Sequence, residues 1–137
     1  MKIFLTGGAG FIGKHVARFF LNNKHNVTIF DNFTNSKRDD VMDLVRDGVN
    51  IIEGDITNYD QIKSSLSNYD VVIHLAAKIS VIESILNPSD TIRVNVDGTI
   101  NVLNSCVERN IKKLIVVSSA AVYGDQLDRS EEHTSEL

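Results

Sequence analysis

The residues best placed to do chemistry stand near the front of the chain, where Thr6-Gly7-Gly8-Ala9-Gly10-Phe11-Ile12-Gly13 runs directly into Lys14-His15-Val16-Ala17-Arg18-Phe19-Phe20-Leu21. The segment satisfies both Gly-x-Gly-x-x-Gly, from Gly8, and Gly-x-x-Gly-x-x-Gly, from Gly7. Glycines in this pattern permit a tight turn, let backbone approach a pyrophosphate, and allow the next helix to pack on a sheet while its free N–H groups bind phosphate oxygens. Either pattern alone is a weak signal, since the same glycines would serve a turn with no ligand. Asp31 strengthens it by closing an apolar run 18 residues beyond Gly13. A carboxylate there accepts hydrogen bonds from adenosine ribose hydroxyls and repels a 2′-phosphate. Lys37 and Arg38 lie nearby but follow the acid by several residues, so NAD rather than NADP is the expected cofactor.

These residues need a scaffold, and the rest of the chain reads as one. Short β-branched runs alternate with stretches of helical period, predicting strands at roughly 2–6, 26–31, 49–53, 70–75 and 112–118 and helices at roughly 11–22, 38–47, 58–67 and 88–109. Val71-Val72-Ile73 and Leu114-Ile115-Val116-Val117 are continuous apolar runs, as expected of parallel strands covered by helices on both faces. The expected fold is therefore α/β, a doubly wound parallel sheet of the NAD(P)-binding Rossmann type, interrupted after the fifth strand. In the long fourth helix Asn87 is placed to cap, Pro88 suits the first position, and Asp90 favours the positive end of the dipole. Its expected inward stripe is Ile92, Val96, Leu103 and Val107. Gly98 interrupts the helix, which points to a close approach of sheet or ligand.

Composition narrows the function. The 137 residues suit one domain; 42% are hydrophobic and 23% charged, with a net charge of -4 and no basic stripe for nucleic acid or anionic membrane. A small-molecule partner is favoured. The single cysteine, Cys106, falls in a predicted amphipathic helix and reads as a small core residue. The apolar run at the N-terminus is too short for a signal peptide or membrane span, so a cytoplasmic protein is expected, with no metal site.

The chain resembles the extended short-chain dehydrogenase/reductase family, and within it the nucleotide-sugar epimerase/dehydratase branch. The resemblance covers residues 1 to about 126 and rests on six ordered motifs. They are the Thr6–Gly13 segment; Asp31-Asn32 with Asn35-Ser36-Lys37-Arg38; Gly54-Asp55-Ile56; His74-Leu75-Ala76-Ala77; Asn95-Val96-Asp97-Gly98-Thr99; and Ser118-Ser119-Ala120-Ala121-Val122-Tyr123-Gly124. The segments around Asp31 and Val122-Tyr123-Gly124-Asp125-Gln126 are most similar to the UDP-glucose 4-epimerase subfamily. The resemblance implies that Phe11 and Ile12 join Gly7, Gly10 and Gly13 around the pyrophosphate, and that Asp31, Asn32, Asn35 and Ser36 line the ribose. It places Asp55 and Ile56 beside the adenine, has Leu75, Ala76, Ala77, Lys78 and Ile79 line the cofactor cleft, and has Asn95 reach that cleft from the long helix. Lys78 departs from the uncharged residue often found there, and Asn95 would equally serve as a local bridge. Ser119 corresponds to the catalytic hydroxyl, with Ser118 as its packing neighbour and Tyr123 part of the next turn.

Family catalysis also uses a Tyr and a Lys four residues later on the helix after the fifth strand, where the Lys lowers the Tyr pKa. The chain ends before such a helix, and Tyr59-Asp60-Gln61-Ile62-Lys63 has the spacing on the wrong helix, so it reads as a solvent-facing pair. Residues 1–128 are expected to be the N-terminal part of the cofactor domain, with the substrate domain absent. Residues 129–137 resemble the conceptual translation of a sequencing-library adapter, a native acidic loop being the alternative, and His133 is no catalytic candidate. Without a covering helix the fifth strand should expose apolar surface, making the chain marginally stable or aggregation-prone.

The expected function is the cofactor-binding part of an NAD-dependent nucleotide-sugar epimerase acting on a UDP-sugar, homodimeric when full length. A dehydratase or reductase of the same family is the near alternative, and Ala120-Ala121 in place of the Asp-Glu pair typical of dehydratases favours the epimerase. A non-catalytic dinucleotide sensor would need no hydroxyl at Ser119, and an inert NAD-binding fragment is the reading closest to the chain taken literally.

Overall fold

Five short runs of β-branched and aromatic residues pair in parallel in the computed structural model, which describes residues 1–124. The expectations for residues 129–137, for His133 and for Asp125-Gln126 lie outside the described residues. The strands are β1 (Lys2–Thr6), β2 (Asn26–Asp31), β3 (Asn50–Glu53), β4 (Val71–His74) and β5 (Lys113–Val116), in the spatial order β3-β2-β1-β4-β5. Chain order runs outward from β1 to β3 and then returns to place β4 on the other side of β1, which opens a crevice above β1 and β4. Leu5 is the central register point, opposite Ile29 on one side and Ile73 on the other.

Alternation along the strands builds two cores. Ile3, Leu5, Val27, Ile29 and Ile73 face one way and bury Ala17 of α1 (Phe11–Asn22), with Val41 and with Leu44 of α2 (Met42–Arg46). Phe4, Phe30 and Val72 face the other way. They bury Ile62 of α3 (Tyr59–Ser65) together with Val102 and Cys106 of the long helix. Each fully buried side chain of this size contributes about 1.5–3 kcal/mol relative to exposure.

The departures from the predicted elements have local causes. The segment expected as one helix at 38–47 begins as a 3-10 turn, Arg38–Val41, before α2. A helix that was not expected, α4 (Val81–Leu86), follows β4 and is capped by the Ser80 hydroxyl, which accepts from the Glu83 N–H at 3.2 Å. The helix expected at 88–109 is α5 (Pro88–Ile92), a π turn (Arg93–Asp97) and α6 (Gly98–Glu108), with Pro88 at its start and Asn87 capping as read.

The inward stripe is corrected. Ile92, Val96, Leu103 and Val107 are exposed, and Val94, Gly98, Val102, Ser105 and Cys106 face the core instead. The observed stripe includes Gly98 and Ser105 and is the less apolar of the two, so hydrophobic period alone points to the wrong face. The smaller residues turn inward because the helix comes close: a Cβ at Gly98 would lie 2.6 Å from Ile56 Cδ1. The close partner of Gly98 is thus Ile56 in the loop after β3 rather than the sheet. Ile115, Val116 and Val117, on and after β5, are exposed. Among the described residues no helix is long and apolar enough to cross a membrane.

Candidate functional site

Every expected site residue falls at or beyond the C-terminal end of a strand or on a helix facing those ends. Gly7 leaves β1 with φ +69°, a conformation open to glycine at low cost, and its N–H donates to Phe30 O at 2.9 Å. The Gly10 N–H donates back to Gly7 O at 3.2 Å, closing the turn, and Gly10 then occupies the N-cap of α1 with no side-chain cap. A Cβ on Gly13 would lie 2.5 Å from Gly7 O, so the helix can start this close to the loop only with glycine there. Phe11 and Ile12, on the exposed first turn, leave their side chains in solvent, Phe11 edge-on to His15 at 4.9 Å.

Asp31 ends β2 and ties this loop down. Its Oδ2 accepts from the Ala9 N–H at 3.0 Å, and its Oδ1 from the Phe33 N–H at 2.9 Å and the Ser36 hydroxyl at 3.5 Å. Asn32 donates to Asp55 Oδ2 at 3.2 Å, linking the loops after β2 and β3, while Asn35 is exposed. Partial burial works against the charge on Asp55, but the Thr57 amide and hydroxyl and the Asn32 amide outweigh it and hold the carboxyl below its usual range. Ile56 differs from the rest: its side chain is core, 6% exposed, and Asn101 donates to its carbonyl at 3.0 Å.

On the other wall, Leu75 and Ala76 are half-buried, Ala77 and Ile79 are exposed and Lys78 is half-buried. Asn95, in the π turn, brackets Lys78: its Oδ1 accepts from the Lys78 N–H at 2.7 Å and its Nδ2 donates to the Lys78 carbonyl at 2.9 Å. The Lys78 ammonium pairs with Asp90, and lies 3.6 Å from Glu83. Hydrogen bonding to Asp90 raises the Lys78 pKa despite the desolvation that opposes it. Ser119 is exposed three residues past β5, and its carbonyl accepts from the Val122 N–H at 3.2 Å in the short 3-10 turn Ala120–Tyr123.

Sequence reasoning missed the polar group beneath this wall. His74, 3% exposed at the end of β4, bridges Thr6 Oγ1 (2.6 Å) and Thr99 Oγ1 (3.0 Å), and burial pushes its pKa down to about 4. A histidine ending a strand, with threonines at the end of β1 and on the facing helix, was the available signal. The Tyr59/Lys63 pair is also corrected: both side chains are half-buried and converge on Glu108, Lys63 Nζ lying 2.5 Å from Oε2 and the Tyr59 hydroxyl donating to Oε1. That hydrogen bond raises the Tyr59 pKa, the opposite of what a base requires, so the pair fastens α3 to α6. Cys106 is core, its thiol pushed up to about 11 by burial. A concavity of about 360 Å³ lined by Lys2, Asn26, Thr28, Asn50, Ser67, Asn68 and Tyr69 opens at the opposite, N-terminal end of the strands, away from the glycine loop.

A glycine turn into α1, an acid closing β2 and a crevice at the strand-order switch define a doubly wound domain of the dinucleotide-binding class. The chain belongs to the NAD dependent epimerase/dehydratase family, whose model matches residues 3–137. A bifunctional UDP-glucose 4-epimerase and UDP-xylose 4-epimerase from Pisum sativum is 43% identical over 133 residues, 90% of this chain and 38% of the relative. A UDP-glucose 4-epimerase from Klebsiella pneumoniae is 38% identical over 92% of this chain and 94% of its own recorded length. Among solved structures, a UDP-glucose-4-epimerase from Stenotrophomonas maltophila with bound NAD and formylated UDP-arabinopyranose superposes with TM-score 0.89 at 30% identity, covering 95% of this chain and 40% of that one. A dTDP-glucose 4,6-dehydratase from Streptomyces venezuelae, with NAD bound, matches with TM-score 0.85 at 30% identity, covering 92% of this chain and 42% of that one. The chain thus spans about two-fifths of the length of the pea relative and of these structures.

Proposed function

We propose that this chain is the cofactor-holding part of an NAD-dependent nucleotide-sugar epimerase that inverts C4 of a UDP-sugar. The observation that carries the reading is the loop from Gly7 to Gly13, packed so closely that a Cβ at either end would strike backbone, and opening onto a helix with no side-chain cap. Backbone N–H groups and a helix N-terminus in such a cradle suit a pyrophosphate.

In this reading Gly7, Gly10, Phe11, Ile12 and Gly13 hold the pyrophosphate through backbone, and Asp31, Asn32, Asn35 and Ser36 line the ribose. Asp55 and Ile56 flank the adenine, Ile56 through its main chain because its side chain is buried. Leu75, Ala76, Ala77 and Lys78 form the cleft wall, and Asn95 fixes that wall by holding both backbone groups of Lys78. Bound NAD supplies a reversible hydride acceptor. The Ser119 hydroxyl is the proposed catalytic group, hydrogen-bonding the sugar oxygen as it loses and regains its proton. Tyr59 and Lys63 do not fill the family's Tyr and Lys roles, so the chain alone is proposed to bind NAD without turning sugar over. Ala120-Ala121, where dehydratases tend to carry Asp-Glu, favours epimerase over dehydratase. The exposed apolar stripe Ile92, Val96, Ile100, Leu103 and Val107 supports a homodimer, and a cytoplasmic location belongs to the same proposal.

Calorimetric titration tests the reading. One NAD per chain, clearly weaker NADP, and no interconversion of UDP-glucose and UDP-galactose by the chain alone are expected. Equal affinity for NADP, or no binding of either dinucleotide by the folded chain, would contradict it.

A further inference from the structure

We propose that His74 is a positioning residue, held as the neutral Nε2–H tautomer in a directional hydrogen-bond chain that fixes the glycine loop, the wall after β4 and the π turn relative to one another. Its effect on NAD binding rests on the cofactor reading above; the tautomer itself does not.

The chain has two ends of fixed polarity. At one end the Ala76 N–H, which can only donate, reaches Thr6 Oγ1 at 3.4 Å; at the other the Asn95 carbonyl, which can only accept, takes the Thr99 hydroxyl proton at 2.7 Å. With its proton committed to Asn95, Thr99 Oγ1 must accept from His74 Nε2 at 3.0 Å, so Nε2 carries the proton. Nδ1 is then bare and accepts the Thr6 hydroxyl at 2.6 Å. The sequence of donations is Ala76 N–H to Thr6, Thr6 to His74 Nδ1, His74 Nε2 to Thr99, and Thr99 to Asn95. The Nδ1–H tautomer would forfeit the Thr99–Asn95 bond and leave the Thr6 hydroxyl proton without an acceptor along the chain. An imidazolium would have the same defect at Thr6.

The groups joined this way are those that must stay in register for the site. Thr6 precedes Gly7, whose backbone rests on Ala76, and the same Leu75–Ala76 step begins the cleft wall. Asn95 carries the amide that brackets Lys78. The groups facing His74 are Thr6 of β1, Thr99 of α6 and, across β5, its register partner Val116 and the Val117 N–H that donates to its carbonyl at 3.1 Å; none of them is titratable. Among the described residues no ion pair holds the imidazole in its charged form, and the hydrogen-bond geometry keeps it neutral.

Imidazole nitrogen NMR on the full chain, labelled at histidine, tests the assignment between about pH 8 and pH 5, a range that brackets the ordinary histidine pKa. A proton on Nε2 and a bare Nδ1 across that range are expected for His74. An Nδ1–H signal, or titration near the ordinary histidine value, would overturn the proposal whether or not NAD binds. NAD affinity then separates positioning from mere packing. Thr99→Val, isosteric but without the hydroxyl, is expected to weaken NAD by about tenfold, the scale of one orphaned buried donor, and Thr99→Ser to restore it to near the parent value. A folded Thr99→Val chain binding NAD like the parent would overturn the coupling. If Thr99→Val does not fold, Thr99→Ser must keep the Nε2–H tautomer, and its loss would count against the chain.

Discussion

Gly7 and Ala76 meet backbone to backbone, so that a Cβ at position 7 would stand 2.6 Å from the Ala76 nitrogen while φ at Gly7 is +69°. The loops leaving β1 and β4 touch with no room for a methyl group. Gly7→Ala should combine left-handed strain with overpacking and destabilise the chain by about 3 kcal/mol. Gly48→Ala, at φ +107° in open space, should cost only the backbone strain, about 1–2 kcal/mol. Urea unfolding of the two variants checks the difference.

His74 gives stability a pH dependence. Its folded pKa of about 4 lies below the ordinary 6.5, so the unfolded chain binds the extra proton first as pH falls. The stabilisation is complete above about 6.5 and is lost progressively toward about 4. Between about pH 7.5 and pH 5 the loss from this residue should be about 2 kcal/mol. Denaturant midpoints at the two pH values, compared with those of His74→Gln, measure it, and the variant should show the smaller change.

Asp31 holds Ala9 as well as facing the proposed ribose. Asp31→Asn keeps the size but loses the charge and the freedom to accept on both oxygens. NAD is expected to bind about ten- to a hundredfold more weakly, the range of a lost charge-assisted hydrogen bond, with discrimination against NADP reduced. Calorimetry with both dinucleotides reads the two effects separately.

Asn95 and Lys78 should differ sharply on truncation. Asn95→Ala strands both backbone groups of Lys78 and should cost about 1–3 kcal/mol. Lys78→Met removes an ammonium that reaches Asp90 and Glu83 near the surface, an arrangement that typically contributes under about 1 kcal/mol. Thermal melts of the two variants give the order.

The apolar stripe on α5 and α6 should drive self-association. Leu103→Lys with Val107→Lys is expected to shift the chain toward monomer at fixed concentration, read by sedimentation velocity. Unchanged association would place the contact elsewhere, with exposed Ile115, Val116 and Val117 the next surface to alter.

The strands were legible because each is a short apolar run bounded by turn residues, and the glycine loop because its spacing admits few alternatives. β1, β2 and α1 match the sequence expectation residue for residue. The face of α6 was not legible: the bulkier stripe looked like core, yet close approach at Gly98 requires the small one. Helix α4 was missed because it spans only Val81–Leu86, too short for the helical spacing of Val81, Ile82, Ile85 and Leu86 to be told from a loop, and all four are exposed. His74 was visible as part of a motif, but its bridging role depends on Thr6 and Thr99, which are 93 positions apart in the sequence and meet only through the fold. The exposure of Phe11 and Ile12 likewise follows from which side of α1 meets the sheet.

The central claim is that the loop from Gly7 to Gly13 and the end of β2 hold NAD, and amide NMR of the folded chain during an NAD titration tests it most directly. Saturable shifts concentrated at residues 7–13, 31–36 and 75–78, and absent from the opposite end of the strands around Asn26 and Asn68, are the expected result. Saturation with no response at Gly10 to Gly13, or no saturable shift at all, would contradict the account.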